Sequence, residues 1–354
     1  MRSPILDRIG RNRHGLNGTC TAFVILSSSL SLGLILAWCG TAVVLGLDRN
    51  VLIPLCILAI GSLVNGLYPI SFFEARLDPL TPNRIASVVD FGFLLLVLIM
   101  LAMGEIHVLS VAIVFASKWT LTAFVQWIYF RKSEPGFRWI VCREDIIALA
   151  KGIPHQAIFS IACTIPISSG ILASQLGISP SGAGFLSLAT MVQQAYILLS
   201  VQLHRIVQPR MVIEEATTQS HKHGDAMLRG LAVYLMVLGL VAWVTSSSVV
   251  WFFFPVEYRS VLNLLPWTIL AGGLTSASYM ASFQITMAGY QKYLTPVATF
   301  VAIVHIAFLL WVLRWGSVEA IAALGALSSG FSLLLLLAVL RQFRLTQQTE
   351  AQVS

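Results

Sequence analysis

The chain has 354 residues, of which 57% are hydrophobic and only 10% are charged. Soluble domains carry about 25% charged residues, so this composition excludes a soluble globular protein, whose core could not bury so much apolar surface. We expect the chain to lie in a lipid bilayer, where its formal net charge of +7 reflects basic loops beside anionic lipid rather than nucleic-acid binding.

The apolar residues fall into segments that are each long enough to cross the hydrocarbon as a helix, which takes about 20 residues. The ten predicted spans are 20–47, 51–73, 85–103, 108–130, 146–175, 184–203, 226–254, 261–287, 294–313 and 318–340. The first of them is too long for the core of a signal peptide. The sequence therefore predicts an all-α integral membrane protein with about ten transmembrane helices.

Polar stretches before, between and after the spans define the other predicted segments. We expect 1–19 to be a basic cytoplasmic segment and 131–145 to be a cytoplasmic loop. The last residues, 341–354, are polar, and we expect them to form a disordered cytoplasmic tail.

Basic residues predict the orientation of the chain. Seventeen of the 22 lysines and arginines lie in the N-terminal segment, the C-terminal tail and every second loop, whereas three lie in the other loops. The positive-inside rule then places both termini in the cytoplasm. Trp251, Trp267, Trp311 and Trp315 cluster at the helix ends that face outward in this topology, as expected for an aromatic belt.

One short sequence occurs twice at the start of a predicted span. Leu80-Thr81-Pro82 recurs as Leu294-Thr295-Pro296 after 214 residues, and a Ser-Phe pair precedes each copy. Long-period repeats are typical of transporters, although chance can produce three identical residues in a leucine-rich chain. The copies lie six spans apart and run in the same direction, which indicates a parallel repeat of six helices.

This repeat predicts two lobes of unequal size. The region 146–340 holds a complete set of six spans, whereas 20–130 holds four, so its lobe is partial. A four-plus-six arrangement predicts that two further spans are encoded upstream of the Met1 codon.

No motif in the chain indicates catalysis. There is no glycine-rich phosphate loop, no HExxH pair and no nucleophile elbow. The five cysteines show no paired spacing, which predicts neither a disulfide framework nor a metal site. We expect a protein that is not an enzyme and has no cofactor. The alternative is a polytopic membrane acyl- or glycosyltransferase, which needs a reactive side chain at the membrane face, and His155 is the nearest candidate.

Lys118 is the first candidate for a functional side chain, because lipid makes a charge inside a span costly. It lies near the middle of its span, and Ser110, Thr122 and Gln126 share its face at multiples of four residues. A polar stripe of this kind is expected to face the bundle interior or a wet cavity. The alternative is a lysine paired with one acid for packing.

Asp90 is the second candidate, because a buried acid with a raised pKa can carry a proton or accept a cation. It lies one to two turns into the span 85–103. The alternative is an ion pair with Lys118 or Arg84.

Polar residues in the last six spans complete the candidate site. Lys151 and His155 lie one turn apart beside Pro154, which together with Pro166 is expected to bend its helix. The alternative for Lys151 is contact with lipid headgroups. The other candidates are polar side chains of later spans: Gln194, Tyr279 and Ser282.

Four stretches resemble segments of the polysaccharide flippases of the O-antigen (Wzx) type. They are SFFE at 71–74, GAGFLSLATMVQQ at 182–194, FFPVEYRSVLNLLPW at 253–267 and GYQK at 289–292. Their order and spacing extend over nearly the whole chain. The resemblance implies the multidrug/oligosaccharidyl-lipid/polysaccharide exporter superfamily, whose members have twelve helices in two lobes of six.

The resemblance implies a flippase that moves lipid-linked oligosaccharide across the bacterial inner membrane by alternating access. Its partners would be a polyprenyl-diphosphate-linked oligosaccharide, membrane lipid and other membrane proteins of polysaccharide assembly. Lys118, with Lys151 or His155, would attract the diphosphate. Gln194, Tyr279 and Ser282 would bind sugars, and Asp90 would couple transport to an ion. A further alternative is an inactive, truncated flippase.

Overall fold

The computed structural model describes most of the chain outside the N-terminal segment. The described residues are 16–44, 48–65, 67–75, 78, 80–104, 107–175, 178–218, 222–287, 290–315 and 317–353. Residues 1–15 of the predicted N-terminal segment and Gly289 of the GYQK stretch therefore lie outside the described residues.

Every regular element among the described residues is helical. The α-helices are α1 (Leu16–Val44), α2 (Arg49–Asn65), α3 (Ile70–Ala75), α4 (Leu80–Ala102), α5 (Val108–Ser133), α6 (Arg143–Gln175), α7 (Pro180–Thr218), α8 (Lys222–Phe253), α9 (Leu265–Met287), α10 (Leu294–Val312) and α11 (Val318–Val353). Short 3-10 helices occur at Val256–Asn263, Gln291–Tyr293 and Leu313–Trp315. The prediction of an all-α protein is thus confirmed.

Seven helices among the described residues are long and apolar enough to cross a membrane. They lie in α1, α4, α5, α7, α8, α10 and α11. The other three predicted spans also contain helices, but α2 ends at Asn65 before the short α3 begins. Among the described residues, shorter apolar stretches lie at Leu52–Gly61 in α2 and at Ala157–Ser169 in α6. The finding supports a membrane-embedded protein, and the count of ten spans stays a prediction.

The chain divides into two compact units, Met1–Lys151 and Gly152–Ser354. In the first unit, α5 packs against α2 and α4, and α1 packs against α2. Its core is aromatic: Phe72 of α3 and Phe130 of α5 are fully buried with ring centroids 5.8 Å apart. Trp127 also joins this core, and its indole N–H donates to the carbonyl oxygen of Leu67 at 2.9 Å. The bend between α2 and α3 is therefore fixed by α5.

In the second unit, α9 is the central helix and packs against α7, α8 and α11. The side chain of Tyr196 in α7 fills a notch where α9 carries Gly272 and Gly273, because a Cβ at Gly272 would come within 2.7 Å of the tyrosine ring. The Tyr196 hydroxyl donates to the carbonyl oxygen of Leu235 in α8 at 2.6 Å. Small residues thus allow three helices to approach closely, as in other membrane bundles.

The expectation of a disordered tail is wrong, because α11 continues without a break to Val353. The residues after Leu340 are mostly arginine, glutamine, leucine, glutamate and alanine, with no glycine or proline. Side chains of these types favour helix, so a helix that begins in apolar sequence continues through the polar end.

The repeated Leu-Thr-Pro triplet has the same structural position in both copies. Leu80 begins α4 and Leu294 begins α10. Proline in the first turn of a helix loses no hydrogen bond, because the first amide groups have no partner within the helix. The triplet is thus a helix start in each unit.

Candidate functional site

The two ionisable candidates of the first unit form an ion pair. The ammonium nitrogen of Lys118 in α5 lies 3.0 Å from Oδ1 of Asp90 in α4, and their side chains are 23% and 54% exposed. The same ammonium lies 5.6 Å from the centre of the Phe115 ring, which favours a cation–π contact. The predicted alternative, a pair between these two residues, is the arrangement found. Because neither side chain is buried, the pair is accessible from outside the helices.

The polar side chains of α5 differ in exposure along the helix: Lys118 is partly exposed, whereas Thr122 and Gln126 are buried. Thr122 is buried, and its hydroxyl donates to the carbonyl oxygen of Lys118 at 2.9 Å. Gln126 is fully buried, and its side-chain amide donates to the carbonyl oxygen of Pro82 at 3.0 Å. Gln126 therefore secures the first turn of α4 to α5. Lys118, unlike Thr122 and Gln126, is not buried.

The candidates on α6 lie on either side of the division between the units. Lys151 is exposed and ends the first unit, whereas His155 is half-buried in the second. Nδ1 of His155 lies 2.7 Å from the hydroxyl oxygen of Thr295 in the first turn of α10. This hydrogen bond occupies one ring nitrogen and connects α6 to α10. The role of both residues in diphosphate binding stays a prediction.

The candidates for sugar binding differ in exposure. Gln194 is exposed on α7. Tyr279 is half-buried, and its ring packs edge-on against Phe159 with centroids 5.9 Å apart. Ser282 is buried, and its hydroxyl donates to the carbonyl oxygen of Tyr279 at 2.8 Å. In this conformation Gln194 is the most accessible of the three, and their role in sugar binding stays a prediction.

The structure also shows a small cavity, lined partly by hydroxyl-bearing side chains, that the sequence analysis missed. Its volume is about 10 Å³, which is the space that one water molecule needs. The lining residues come from α6, α9, α10 and α11: Ala162, Cys163, Pro166, Thr275, Ser278, Ala298, Val301, Ser328, Ser329 and Ser332. The signal for it was present in α11, where Ser328, Ser329 and Ser332 interrupt an apolar helix.

Hydroxyl groups beside this cavity hold the helices of the second unit together. Thr275 of α9 and Ser329 of α11 are joined by a hydrogen bond of 3.0 Å. His305 of α10 is fully buried, and its Nδ1 lies 2.8 Å from the hydroxyl oxygen of Ser328. Within the described part of the chain, Nε2 of His305 has no hydrogen-bond partner. His305 is therefore a core residue of the second unit.

Pro166 explains why polar groups collect beside this cavity. A proline inside a helix has no N–H to donate, so the carbonyl oxygen four residues earlier loses its partner. That carbonyl belongs to Ala162, which lines the same cavity. Ser169, one turn later, donates its hydroxyl to the carbonyl oxygen of Pro166 at 2.5 Å. Pro166 thus leaves a backbone acceptor that a hydroxyl group or one water molecule can satisfy.

The side chains of the two units offer different chemistry. The described residues contain no group of three or more histidine, cysteine, aspartate or glutamate side chains that could hold a metal ion. Lys118 and Asp90 supply an accessible pair of opposite charges, which suits electrostatic binding. Comparison with protein-family models and with curated proteins finds no match for this chain.

Proposed function

We propose that the protein is a flippase that translocates lipid-linked oligosaccharide precursors across the bacterial inner membrane by alternating access. The proposal rests on the resemblance of four sequence stretches to O-antigen flippases and on one structural observation. That observation is the accessible ion pair between Lys118 and Asp90, inside two helices that are long and apolar enough to span a membrane. Charged residues in such helices mark substrate and ion pathways more often than packing contacts.

The substrate head group fits a lysine that can change partners. A polyprenyl diphosphate is anionic, and its oxygens would accept hydrogen bonds from the Lys118 ammonium as the Asp90 carboxylate does. An exchange of one anion for another keeps the lysine compensated throughout, which avoids the large cost of an unpaired charge in a low-dielectric medium. Lys118 therefore binds the diphosphate in this mechanism and returns to Asp90 when the diphosphate leaves.

The same exchange gives Asp90 a part in coupling. When Lys118 turns to the diphosphate, the carboxylate of Asp90 loses its partner at 3.0 Å. A carboxylate that has lost its cationic partner attracts another cation, because opposite charges attract. Binding of substrate to Lys118 would thus cause Asp90 to bind the coupling ion, and release of substrate would cause Asp90 to release that ion.

The test is export of surface glycan by cells that depend on this chain. Lys118→Ala should abolish export, and Lys118→Arg should retain part of it because the positive charge remains. Lys132→Ala is the matched control, since Lys132 is an exposed lysine near the end of the same helix. We expect normal export from that control. Unchanged export from Lys118→Ala, at normal expression, would leave the ion pair with a structural role alone.

Asp90→Asn separates binding from coupling. The amide keeps the shape of the carboxyl group but can neither pair with Lys118 as an anion nor take up a proton. In proteoliposomes loaded with fluorescent lipid-linked oligosaccharide, this variant should bind substrate at least as tightly as the wild type. Its translocation should no longer respond to an imposed proton or sodium gradient. Translocation with an unchanged gradient response would refute a coupling role for Asp90.

A further inference from the structure

The segment between α5 and α6 is a second place where the structure indicates a ligand. Residues 134–142 contain a turn and no helix. The segment begins where α5, one of the seven helices that could span a membrane, ends at Ser133. We call these nine residues the connecting segment. Its position puts it at the boundary between the hydrocarbon and the polar phase.

The connecting segment is held against the first unit. Phe137 is buried, with its ring centroid 5.4 Å from that of Phe130. Trp139 packs against Phe137 at 4.9 Å and against Trp127 at 5.7 Å. The backbone N–H of Ile140 donates to the hydroxyl oxygen of Thr21 in α1 at 3.1 Å. These contacts fix the segment in one conformation, so the side chains that it exposes form a defined surface.

Three consecutive apolar side chains of this segment remain exposed. Trp139 is 53% exposed and Val141 is 71% exposed, with half-exposed Ile140 between them. A fixed apolar surface of this kind is unfavourable in water. At the level of the lipid headgroups it is favourable, and tryptophan in particular prefers that level because its ring is apolar and its N–H is polar.

Basic side chains flank the apolar triplet on both sides. The exposed ones are Arg131, Lys132, Arg138 and Arg143. Lys132 also lies 6.0 Å from the centre of the half-exposed Tyr129 ring, a second aromatic side chain suited to the interface. Three acids lie in the same region: Glu134 is half-buried, Asp145 is buried, and only Glu144 is exposed. The exposed charge of this region is therefore predominantly positive.

We propose that the connecting segment and the basic residues beside it form a binding surface for anionic phospholipid. The side chains from Trp139 to Val141 lie among the upper acyl chains, and the four basic side chains contact the phosphate groups. The charge complementarity between four exposed cations and an anionic leaflet selects this occupant over zwitterionic lipid. The surface is independent of substrate transport and would anchor the first unit at one face of the bilayer.

Fluorescence quenching in nanodiscs tests this surface directly. Brominated acyl chains quench tryptophans that they touch, and the difference between wild type and Trp139→Phe isolates the signal of Trp139. We expect stronger quenching of this signal by brominated phosphatidylglycerol than by brominated phosphatidylcholine in mixtures of the two. Trp243 is the matched control, because it is 44% exposed and lies in the apolar part of α8, away from basic residues along the chain. Trp243 should show little preference between the lipids.

Charge removal then assigns the preference to the basic residues. Each positive charge near an anionic surface should contribute about a fivefold preference, so Arg138→Gln with Arg143→Gln should lower the preference about 25-fold. Arg138→Lys with Arg143→Lys should keep it. Arg131→Gln with Lys132→Gln provides a second pair on α5, and thermal unfolding in detergent verifies that each variant is folded. Equal quenching by both lipids would overturn the proposal, as would a Trp139 signal that neither lipid quenches, which would indicate a protein partner instead.

Discussion

The ammonium of Lys118 lies 3.0 Å from the carboxylate of Asp90 and joins the middle of α5 to α4. Contact between these helices also includes Gln126, which donates to the first turn of α4 two turns further along α5. The ion pair is accessible and the amide contact is buried. Packing of α4 therefore does not depend on the ion pair alone, which leaves the pair able to open.

Loss of one partner of the ion pair should cost less stability than loss of the buried amide. Asp90→Ala should lower the free energy of unfolding by about 1 kcal/mol, within the range measured for polar contacts between membrane helices. Gln126→Ala should cost more, about 2 kcal/mol, because it removes a fully buried side chain together with its hydrogen bond to α4. Unfolding in mixed micelles measures both. The reverse order would show that the ion pair is the main structural contact of α4.

Exchange of the two charges tests whether they act as a pair. Asp90→Lys and Lys118→Asp should each lower the free energy of unfolding, because each variant puts two like charges where the ion pair now lies. The double variant should recover most of the loss. A double-mutant cycle on the same unfolding transition gives the coupling energy, and additive losses would argue against a direct interaction.

Gly272 should not tolerate a methyl group. A Cβ at this position would lie 2.7 Å from Cδ1 of Tyr196, so Gly272→Ala should destabilise the second unit by about 1–3 kcal/mol. Removal of the ring in Tyr196→Ala should make the glycine substitution nearly neutral in that background. Gly184→Ala is the matched control, because a Cβ there meets nothing within 4 Å. Alanine is the better helix former, so that variant should be neutral or slightly more stable.

Ser328 should be more important for stability than its size suggests. Its hydroxyl is the partner of Nδ1 of the fully buried His305, whose Nε2 has none among the described residues. Ser328→Ala should therefore cost about 1–3 kcal/mol, the penalty for a buried polar atom without a partner. Ser187→Ala on the exposed face of α7 is the control and should be neutral. A negligible effect of Ser328→Ala would indicate that another group replaces the hydroxyl as the hydrogen-bond partner of Nδ1 of His305.

Chemical labelling of Cys142 tests the predicted orientation of the chain in the membrane. The distribution of basic residues places this cysteine on the cytoplasmic side, and its side chain is only partly buried, so a maleimide can reach it. A membrane-impermeant maleimide should label Cys142 only after spheroplasts are permeabilised. Cysteine introduced at Ser260, which is exposed in the 3-10 helix after α8, should react in intact spheroplasts. Labelling of Cys142 without permeabilisation would reverse the predicted topology.

Hydropathy was sufficient to locate the helices, because apolar segments of this length have to satisfy their backbone internally in lipid. Each predicted span contains at least one helix among the described residues. The pair between Lys118 and Asp90 was also one of two stated possibilities, since a charge inside a span needs a partner. Hydropathy alone could not predict the break after Asn65, where α2 ends and a separate short helix follows.

Contacts that depend on helix rotation could not be predicted. Ser282 lies on a polar stripe in the sequence, but its hydroxyl bonds to its own helix. His305 and Ser328 meet because α10 and α11 pack with one particular register, and no periodicity within either helix specifies that register. In a membrane bundle, the side chains that face lipid and those that face the core are both apolar. The sequence therefore separates the two faces of a helix less sharply than it does in a soluble protein.

The notch that holds Tyr196 has a mechanical consequence. Its ring touches α9 at Gly272 and Gly273, while its hydroxyl is bonded to α8 at Leu235. If α7 moved by one residue along α9, the ring would collide with a residue that carries a Cβ. We therefore expect these three helices to move together. Outside this group of three, α6 carries Pro154 and Pro166, each of which removes a backbone hydrogen bond of the helix. Bending at these prolines would deform α6 while the contacts of Tyr196 hold α7, α8 and α9 together.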